Sequence, residues 1–233
     1  MSLILNIDTS MEIGFLCIAK DGVSICEAYN ANQKDHAGFL QQAILDLTGK
    51  IGINLLELDA IAVTHGPGSY TGLRVGMASA KGLCYALKKP LIVINTLEAM
   101  ADRVITQIGS AGTTTNALFC PMIDARRMEV FTALYDRDIN AVAQPAALVL
   151  STDSFLNYLT KQIVYFFGNG SGKWLNICKH ENALFVEIMQ DKFYMSKLSF
   201  NELHKKNFAD IAYSEPFYLK EFHTIAKNLY VMY

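Results

Sequence analysis

Residues 7–18, IDTSMEIGFLCI, decide the fold, because residues 123–134, IDARRMEVFTAL, repeat their pattern in the second half of the chain. Each copy places Ile-Asp at the end of an apolar run, followed by a short turn and a second apolar run. Apolar runs bounded by polar turns are typical of buried strands. A strand–Asp–turn–strand unit is common enough to recur by chance, but a genuine repeat predicts two related halves.

The rest of the first half alternates between strand and helix patterns. Further strands are predicted at 58–63 and 90–95, and helices at 36–50, 72–87 and 96–108. Apolar residues recur at helical spacing in the first of these helices. Pro90 ends the helix that precedes it, and Thr96 is the predicted N-cap of the next one.

The composition changes at GSAGTTTN (109–116), which predicts a linker between an N-terminal lobe, 1–108, and a reduced C-terminal lobe, 109–233. In the C-terminal lobe we expect strands near 146–150 and 163–167, and helices at 151–161, 171–178 and 199–212. The fold class is therefore α/β, with two lobes that are each a mixed sheet with helices. Such a duplication resembles the actin–hexokinase–Hsp70 (ribonuclease H-like) superfamily, in which nucleotide sits between the halves.

Composition and charge favour an intracellular globular protein. The chain has 233 residues, is 52% hydrophobic and carries a net charge of −2, so any contact with RNA is expected to need a partner. Its five cysteines form no C-x-x-C pair, which is typical of reduced thiols. No apolar run approaches the roughly 18 residues of a membrane span or the pattern of a signal peptide. We expect a cytoplasmic protein without membrane contact.

A nucleotide or anion site is the first candidate for chemistry. In the superfamily, the turn after the first strand wraps a phosphate, but here the glycine is displaced to Gly14 and Glu12 adds negative charge. The glycine loop that follows fits neither the Walker pattern nor G-x-G-x-x-G, although a helix N-terminus attracts anions. The alternative is that the turn side chains only satisfy local N–H groups. The candidate residues are Asp8, Thr9, Ser10, Gly66, Gly68, Ser69 and Arg74.

Two faces of small residues on the helix predicted at 72–87 suggest close packing against another backbone. Glycine inside a helix costs about 0.5–1 kcal/mol relative to alanine, so these glycines need a compensating contact. One face carries Gly72, Gly76 and Ala80, and the other carries Ala78, Gly82 and Ala86. We expect one face to pack on the protein's own sheet and the other to bind a partner, and we assign the partner to the Gly72 face.

Histidine and serine patterns give no support for a catalytic centre. No two of the five histidines are four residues apart, so neither H-E-x-x-H nor H-x-x-x-H occurs and no metal site is predicted. No G-x-S-x-G occurs, and Ser69 has no identifiable base. Asp124 beside Arg126 and Arg127 is interpreted as a structural salt-bridge set.

Several segments together resemble the bacterial TsaB family, also called YeaZ. They are LNIDTS (5–10), ELDAIAVTHGPGSYTGLRVGMASAKGLCYAL (57–87), PLIVINTLEAMA (90–101), IDARRMEVF (123–131) and EPFYLK (215–220). The likeness covers the N-terminal half closely and the C-terminal tail in fragments. The run from Gly66 to Gly82 is its most specific part.

The resemblance implies a non-catalytic scaffold and activator of TsaD. TsaD, with the ATPase TsaE, transfers a threonylcarbamoyl group to the adenosine beside the anticodon of tRNAs that read ANN codons. It further implies homodimers when the chain is alone, contact with tRNA only through the complex, no cofactor bound alone, and ATP or ADP at the subunit junction. The expected interface residues are His36, Phe39, Leu40, Ala43, Gly72, Leu73, Gly76, Ala80 and Leu83. The alternatives are a small-molecule kinase or ATPase of the same fold, a peptidase, and a purely homodimeric structural protein.

Overall fold

The computed structural model describes residues 1–31, 35–109, 116–188 and 195–220. Its first sheet has the strand order β3-β2-β1-β4-β5, in which β1 pairs antiparallel with β2 and parallel with β4. The sheet is therefore mixed, as predicted. Its strands are β1 Leu3–Asp8, β2 Gly14–Lys20, β3 Val23–Asn30, β4 Ala60–Gly66 and β5 Leu91–Asn95.

The second sheet repeats this topology in the order β10-β9-β6-β7-β8. Its central strand β6 pairs antiparallel with β7 and parallel with β9, as β1 does with β2 and β4. The two halves thus share one arrangement, and the prediction of duplicated mixed sheets is confirmed. The strands are β6 Leu118–Asp124, β7 Glu129–Tyr135, β8 Ala141–Val149, β9 Val164–Phe167 and β10 Ala183–Phe185.

Six α-helices are described in these ranges: α1 His36–Ile51, α2 Tyr70–Leu87, α3 Thr96–Ile108, α4 Leu156–Leu159, α5 Ser171–Leu175 and α6 Ser196–Lys205. Helices α1 and α2 cover one face of the first sheet, because their apolar residues share one core cluster with β1 and β4. The helix predicted at 151–161 is only one turn long, since Phe155 before it has a positive φ of 62°. The helix predicted at 199–212 ends early, at left-handed Lys206.

The chain returns to the first sheet after the second one is complete. Met195 and Leu198 are buried with Ile4 and Ile92 on the face opposite α1 and α2. Beyond α6, the backbone N–H of Ala209 donates to Leu91 O at 2.8 Å and so covers part of the edge strand β5. The division into lobes at 1–108 and 109–233 stays a prediction, and residues 195–209 pack on the first sheet.

The N-cap of α3 lies one residue before the predicted Thr96. Asn95 has extended backbone angles, and its side-chain oxygen accepts hydrogen bonds from Leu97 N at 2.9 Å and Glu98 N at 3.4 Å. Thr96 is instead the first helical residue, and its buried hydroxyl has no hydrogen-bond partner among the described residues. The cap prediction was wrong because asparagine at the strand end already satisfies the first free N–H groups.

Four of the five cysteines are buried and all five are free. Burial raises the pKa of Cys17, Cys84 and Cys120 to about 12. These three thiols therefore stay protonated near neutral pH and act as small apolar side chains. Among the described residues, none of the helices has the length and apolar character needed to cross a bilayer.

Candidate functional site

The glycines of the loop and of α2 let this segment lie directly on the turn after β1. A Cβ atom added to Gly68 would lie less than 3.0 Å from Ser10 O, and one added to Gly72 would lie less than 3.0 Å from Thr9 O. A Cβ on Gly76 would likewise meet Thr9 Oγ1. Real Cβ atoms do not make such contacts, so these positions accept only glycine without a shift of the backbone or of Thr9.

Two hydrogen bonds hold the same contact together. The backbone N–H of Ser69 donates to Ser10 O at 2.7 Å, and the Thr9 hydroxyl donates to Gly72 O at 2.7 Å. Ser69 is also the N-cap of α2, where its hydroxyl accepts from Gly72 N at 3.3 Å. The close packing that the glycines require is therefore made inside this chain.

The assignment of the partner to the Gly72 face of α2 was wrong for this reason. Gly72 and Gly76 are covered by the turn after β1, and Ala80 belongs to the core between α2 and the sheet. On α1 the stripe expected to complete the interface is also directed at the sheet. Of the nine expected interface residues, only Phe39 and Leu83 are partly exposed, whereas His36, Leu40, Ala43, Gly72, Leu73, Gly76 and Ala80 are buried.

The second small-residue face of α2 is the one that is open. Ala78, Gly82 and Ala86 are exposed, and a Cβ on Gly82 would meet none of the described residues within 4 Å. Beside them Tyr85 is 82% exposed, and on α1 Leu45 is 61% exposed. We call Leu45, Ala78, Gly82, Tyr85 and Ala86 the outer helix face. It lies on the outer side of the α1–α2 layer that covers the first sheet.

Asp8, the first candidate for a phosphate site, is instead part of a closed turn. Its carboxylate Oδ1 accepts hydrogen bonds from Ser10 N at 2.9 Å, Ser10 Oγ at 2.6 Å and Thr64 Oγ1 at 2.7 Å. Asp8, Thr9 and Ser10 are buried below the glycine loop. The prediction that they bind an anion stays a prediction, because Asp8 Oδ1 is engaged in the turn whereas Ser10 also lines the cleft described below.

Two of the remaining anion candidates, Gly66 and Arg74, are engaged within the chain. Gly66 has a φ of 122°, and a Cβ there would lie 2.5 Å from Phe217 O. Arg74 donates to the Tyr70 hydroxyl at 2.7 Å and lies 5.2 Å from the centre of the same ring. These contacts give Gly66 and Arg74 structural roles, and they bring together the helix start and the segment around residue 217.

A cleft of about 780 Å³ separates the two hairpin turns. On one side it is lined by Ser10, Gly68 and Ser69, and on the other by Asp124 and Asn169. If any nucleotide or other polar ligand binds the chain, these residues are the ones placed to hold it. The second side also carries Arg126, and the Asp124 carboxylate there is paired, because Lys173 Nζ lies 2.8 Å from Asp124 Oδ1.

The neighbourhood of Asp124 confirms a structural ion pair, although its partner is not the predicted arginine pair. Burial opposes ionisation of Asp124, but the bonds from Lys173 and from the Arg126 N–H outweigh it, so its pKa is lowered. Asn169 Oδ1 accepts from Asp124 N at 2.9 Å. Arg126 and Arg127 both have positive φ and form the turn itself.

A second cavity of about 500 Å³ adjoins the cleft and is mainly apolar. Met11, Phe15, Met100 and Phe185 contribute to its walls, and the buried Arg103 reaches it from α3. Across the described ranges, no group of three or more His, Cys, Asp or Glu side chains is placed to hold a metal ion. The expectation of a chain without a metal or cofactor of its own stays a prediction.

Sequence reasoning missed the two residues that give the outer helix face its apolar area. Tyr85 and Leu45 lie outside the apolar stripes of their helices, and an isolated apolar residue on a polar face carries little weight. A usable signal was the spacing of Tyr85 from Ala78 and Gly82, which places all three on one side of α2. The second feature that the sequence did not reveal is the course of residues 212–220, of which only EPFYLK (215–220) belongs to the resemblance.

Comparison with known proteins gives the family. The family model described as TsaD, tRNA N6-adenosine threonylcarbamoyltransferase, matches residues 28–222. The chain is 32% identical to the tRNA threonylcarbamoyladenosine biosynthesis protein TsaB of Escherichia coli strain K12 over 60% of this chain and 57% of that protein. Identity to TsaB of Bacillus subtilis strain 168 is 33%, over 57% and 54% respectively. The chain thus spans a little over half the length of these curated relatives.

Solved structures agree on the fold. YeaZ from Pseudomonas aeruginosa superposes with a TM-score of 0.77 and 23% identity, over 94% of this chain and 100% of that chain. An inorganic polyphosphate/ATP-glucomannokinase from Arthrobacter sp. strain KM has a TM-score of 0.50 and 12% identity, over 88% and 100%. The match over residues 28–222 shows that the chain belongs to the threonylcarbamoyltransferase (TsaD) family, and its similarity to TsaB and YeaZ proteins confirms the resemblance found in the sequence.

Proposed function

We propose that this chain is a non-catalytic subunit in the biosynthesis of threonylcarbamoyladenosine in tRNA, and that it acts by binding a TsaD-type transferase. The relatives from E. coli and B. subtilis carry this biosynthetic pathway in their names. In the proposed complex TsaD transfers the threonylcarbamoyl group to the adenosine beside the anticodon, with TsaE as the third protein. The chain itself contributes a docking surface and no reacting group, and the complex acts in the cytoplasm.

The observation that carries the docking proposal is the outer helix face. Ala78 and Gly82 present almost no side chain, so a partner helix can approach the backbone of α2 closely. Tyr85, on the same side of α2, and Leu45, exposed on the neighbouring α1, can insert into a partner's surface, as aromatic and large apolar residues do at the centres of stable interfaces. We expect a total buried area on the order of 1,600 Å².

The same face accounts for the homodimer proposed for the chain alone. A surface with exposed Tyr85 and Leu45 gains from burial in either association. Because both partners would need the outer helix face, binding of TsaD and homodimerisation exclude each other. Contact with tRNA is then made through the complex, in keeping with a chain whose net charge is −2.

The absence of a catalytic role is supported by how the first turn is used. Asp8 accepts three hydrogen bonds from Ser10 and Thr64, and the glycine loop lies over it. Asp8 Oδ1 therefore serves to fix the turn and is not presented to a ligand. We place any bound ATP or ADP at the junction with TsaD.

The test is to substitute Gly82 with arginine. Gly82→Arg adds a long charged side chain where no atom of the described ranges lies within 4 Å, so the isolated chain should keep its fold. Lys161→Glu, an exposed change in the second half, is the matched control. We expect Gly82→Arg to weaken binding to purified TsaD by at least about tenfold in calorimetry, or about 1.4 kcal/mol. Unchanged binding by Gly82→Arg would reject the outer helix face as the docking surface.

The alternative of a small-molecule kinase or ATPase is favoured only by the open cleft between the hairpin turns. Calorimetry of the purified chain with ATP and magnesium tests it directly. Turnover of ATP by the chain alone would replace the subunit proposal. A modification assay on tRNA that omits each protein in turn should instead show activity only when TsaD is present, with a strong dependence on this chain.

A further inference from the structure

Residues 212–220, which we call the C-terminal strap, run along the first half and then cross to the second. Lys81 on α2 donates through Nζ to Ala212 O at 3.1 Å and to Ser214 O at 3.0 Å. The backbone N–H of Phe217 then donates to His65 O, at the end of β4, at 2.6 Å. The strap is thus fixed to α2 and β4 by backbone atoms, which makes its course independent of most of its side chains.

Ring contacts add to this attachment. Phe217 lies 5.8 Å from the His65 ring, and Tyr218 lies 5.2 Å from the Tyr70 ring, measured between centres. Gly66 allows the close approach, because a Cβ there would lie 2.5 Å from Phe217 O. Aromatic pairs at these distances contribute stability beyond the area that they bury.

The strap ends on the other half of the molecule. Lys220 Nζ lies 2.5 Å from Glu129 Oε2, and Glu129 is the first residue of β7 in the second sheet. Within four residues, 217–220, the strap therefore passes from a backbone bond with the first sheet to an ion pair with the second. Phe217, Tyr218, Leu219 and Lys220 also form one wall of the 780 Å³ cleft between the hairpin turns.

We propose that the C-terminal strap is a latch that fixes the separation of the two halves across this cleft. When the strap is seated, the Lys220–Glu129 pair and the Phe217 contacts hold the halves together. When it is released, the halves can move apart and the cleft opens. The latch is a property of this chain and does not depend on the proposed role in tRNA modification.

Distance measurements between the two halves test the latch. Spin labels at Lys20→Cys and Thr152→Cys, in a Cys178→Ser background, report the separation, since the other four cysteines are buried. Dilution with unlabelled protein restricts the signal to distances within one chain. We expect one narrow distance for the parent, and a broader distribution with a longer component for Phe217→Ala and for Lys220→Glu. Lys161→Glu, in the second half, should match the parent.

Two further measurements keep the result clear. The charge exchange Glu129→Lys with Lys220→Glu should restore the narrow distribution, because it rebuilds the pair with reversed signs. Amide exchange at Phe217 should be at least about tenfold faster in Lys220→Glu, with exchange in α2 unchanged. If both single variants give the parent's distance distribution and the Phe217 amide keeps its protection, the strap is not a latch.

Discussion

Replacing Gly72 with alanine should destabilise the protein, whereas the same replacement at Gly82 should stabilise it. Both glycines lie on α2, so the chemical change is identical and only the surroundings differ. At Gly72 the new methyl group would lie less than 3.0 Å from the carbonyl oxygen of Thr9, in a buried turn. At Gly82 the methyl group would meet nothing within 4 Å in the part of the chain that the structure describes.

The expected sizes follow from these surroundings. Overpacking a buried site costs about 1–3 kcal/mol, and moving Thr9 away from Gly72 O gives up a hydrogen bond worth about 1 kcal/mol. The higher helix propensity of alanine offsets at most about 1 kcal/mol of this loss. Gly72→Ala should therefore lose about 1–3 kcal/mol of the free energy of unfolding, and Gly82→Ala should gain about 0.5–1 kcal/mol.

Thermal unfolding followed by circular dichroism measures the change in stability of both variants. For a chain of this length 1 kcal/mol corresponds to about 2–4 °C in Tm, so Gly72→Ala should lower Tm by about 2–12 °C and Gly82→Ala should raise it by about 1–4 °C. The wild-type chain at the same concentration is the reference. Equal shifts of one sign in the two variants would refute the argument that the Gly72 face is covered by the turn after β1.

Three further predictions concern the same region of the fold. Gly76→Ala should destabilise the chain by about 1–3 kcal/mol, but by less in a Thr9→Ala background, because the clash is with Thr9 Oγ1. A double-mutant cycle of urea unfolding measures the coupling energy between the two positions. Burial lowers the pKa of His65, although the bond to Ile94 O opposes this shift. The contribution of His65 to stability is therefore present above about pH 6.5 and is lost as pH falls through the lower pKa of the folded state. His65→Asn should flatten the pH dependence of the urea midpoint between about pH 7.5 and 5.5, and an unchanged slope would contradict this. Asn95→Ala should lower the free energy of unfolding by about 1 kcal/mol, because the α3 N-cap is lost. Thr96→Val should be neutral or stabilising, because it removes a hydroxyl that is unsatisfied among the described residues. The reverse order in thermal unfolding would show that Thr96 is the N-cap.

The sheets and the first three helices could be predicted because their patterns are local. Residues 7–18 and 123–134 show strand–turn–strand patterning without any knowledge of their partners, and their repetition was enough to predict two mixed sheets. The helices of the second half could not be predicted as well. Residues 151–161 have helical composition, but a left-handed Phe155 interrupts them, and only the surrounding packing selects that conformation.

The choice between the two small-residue faces of α2 depended on information that the sequence does not hold. Spacing shows that Gly72 and Gly76 share one face and that Ala78 and Gly82 share another. Which face meets the turn after β1 is set by how α2 lies on the sheet, and both faces have similar composition. The burial of Asp8 below the glycine loop follows from the same docking, so spacing alone could not indicate it either.

The most direct test of the account is the chemical reactivity of Tyr85 with and without TsaD. Tyr85 is 82% exposed and lies on the outer helix face, whereas Tyr29, on β3, is 70% exposed and contacts Phe15 on the opposite face of the first sheet. Nitration followed by mass spectrometry should modify both tyrosines in the free chain. In the purified complex with TsaD, we predict that Tyr85 is protected and that Tyr29 still reacts. A complex in which Tyr85 reacts as fast as in the free chain would contradict docking through this face.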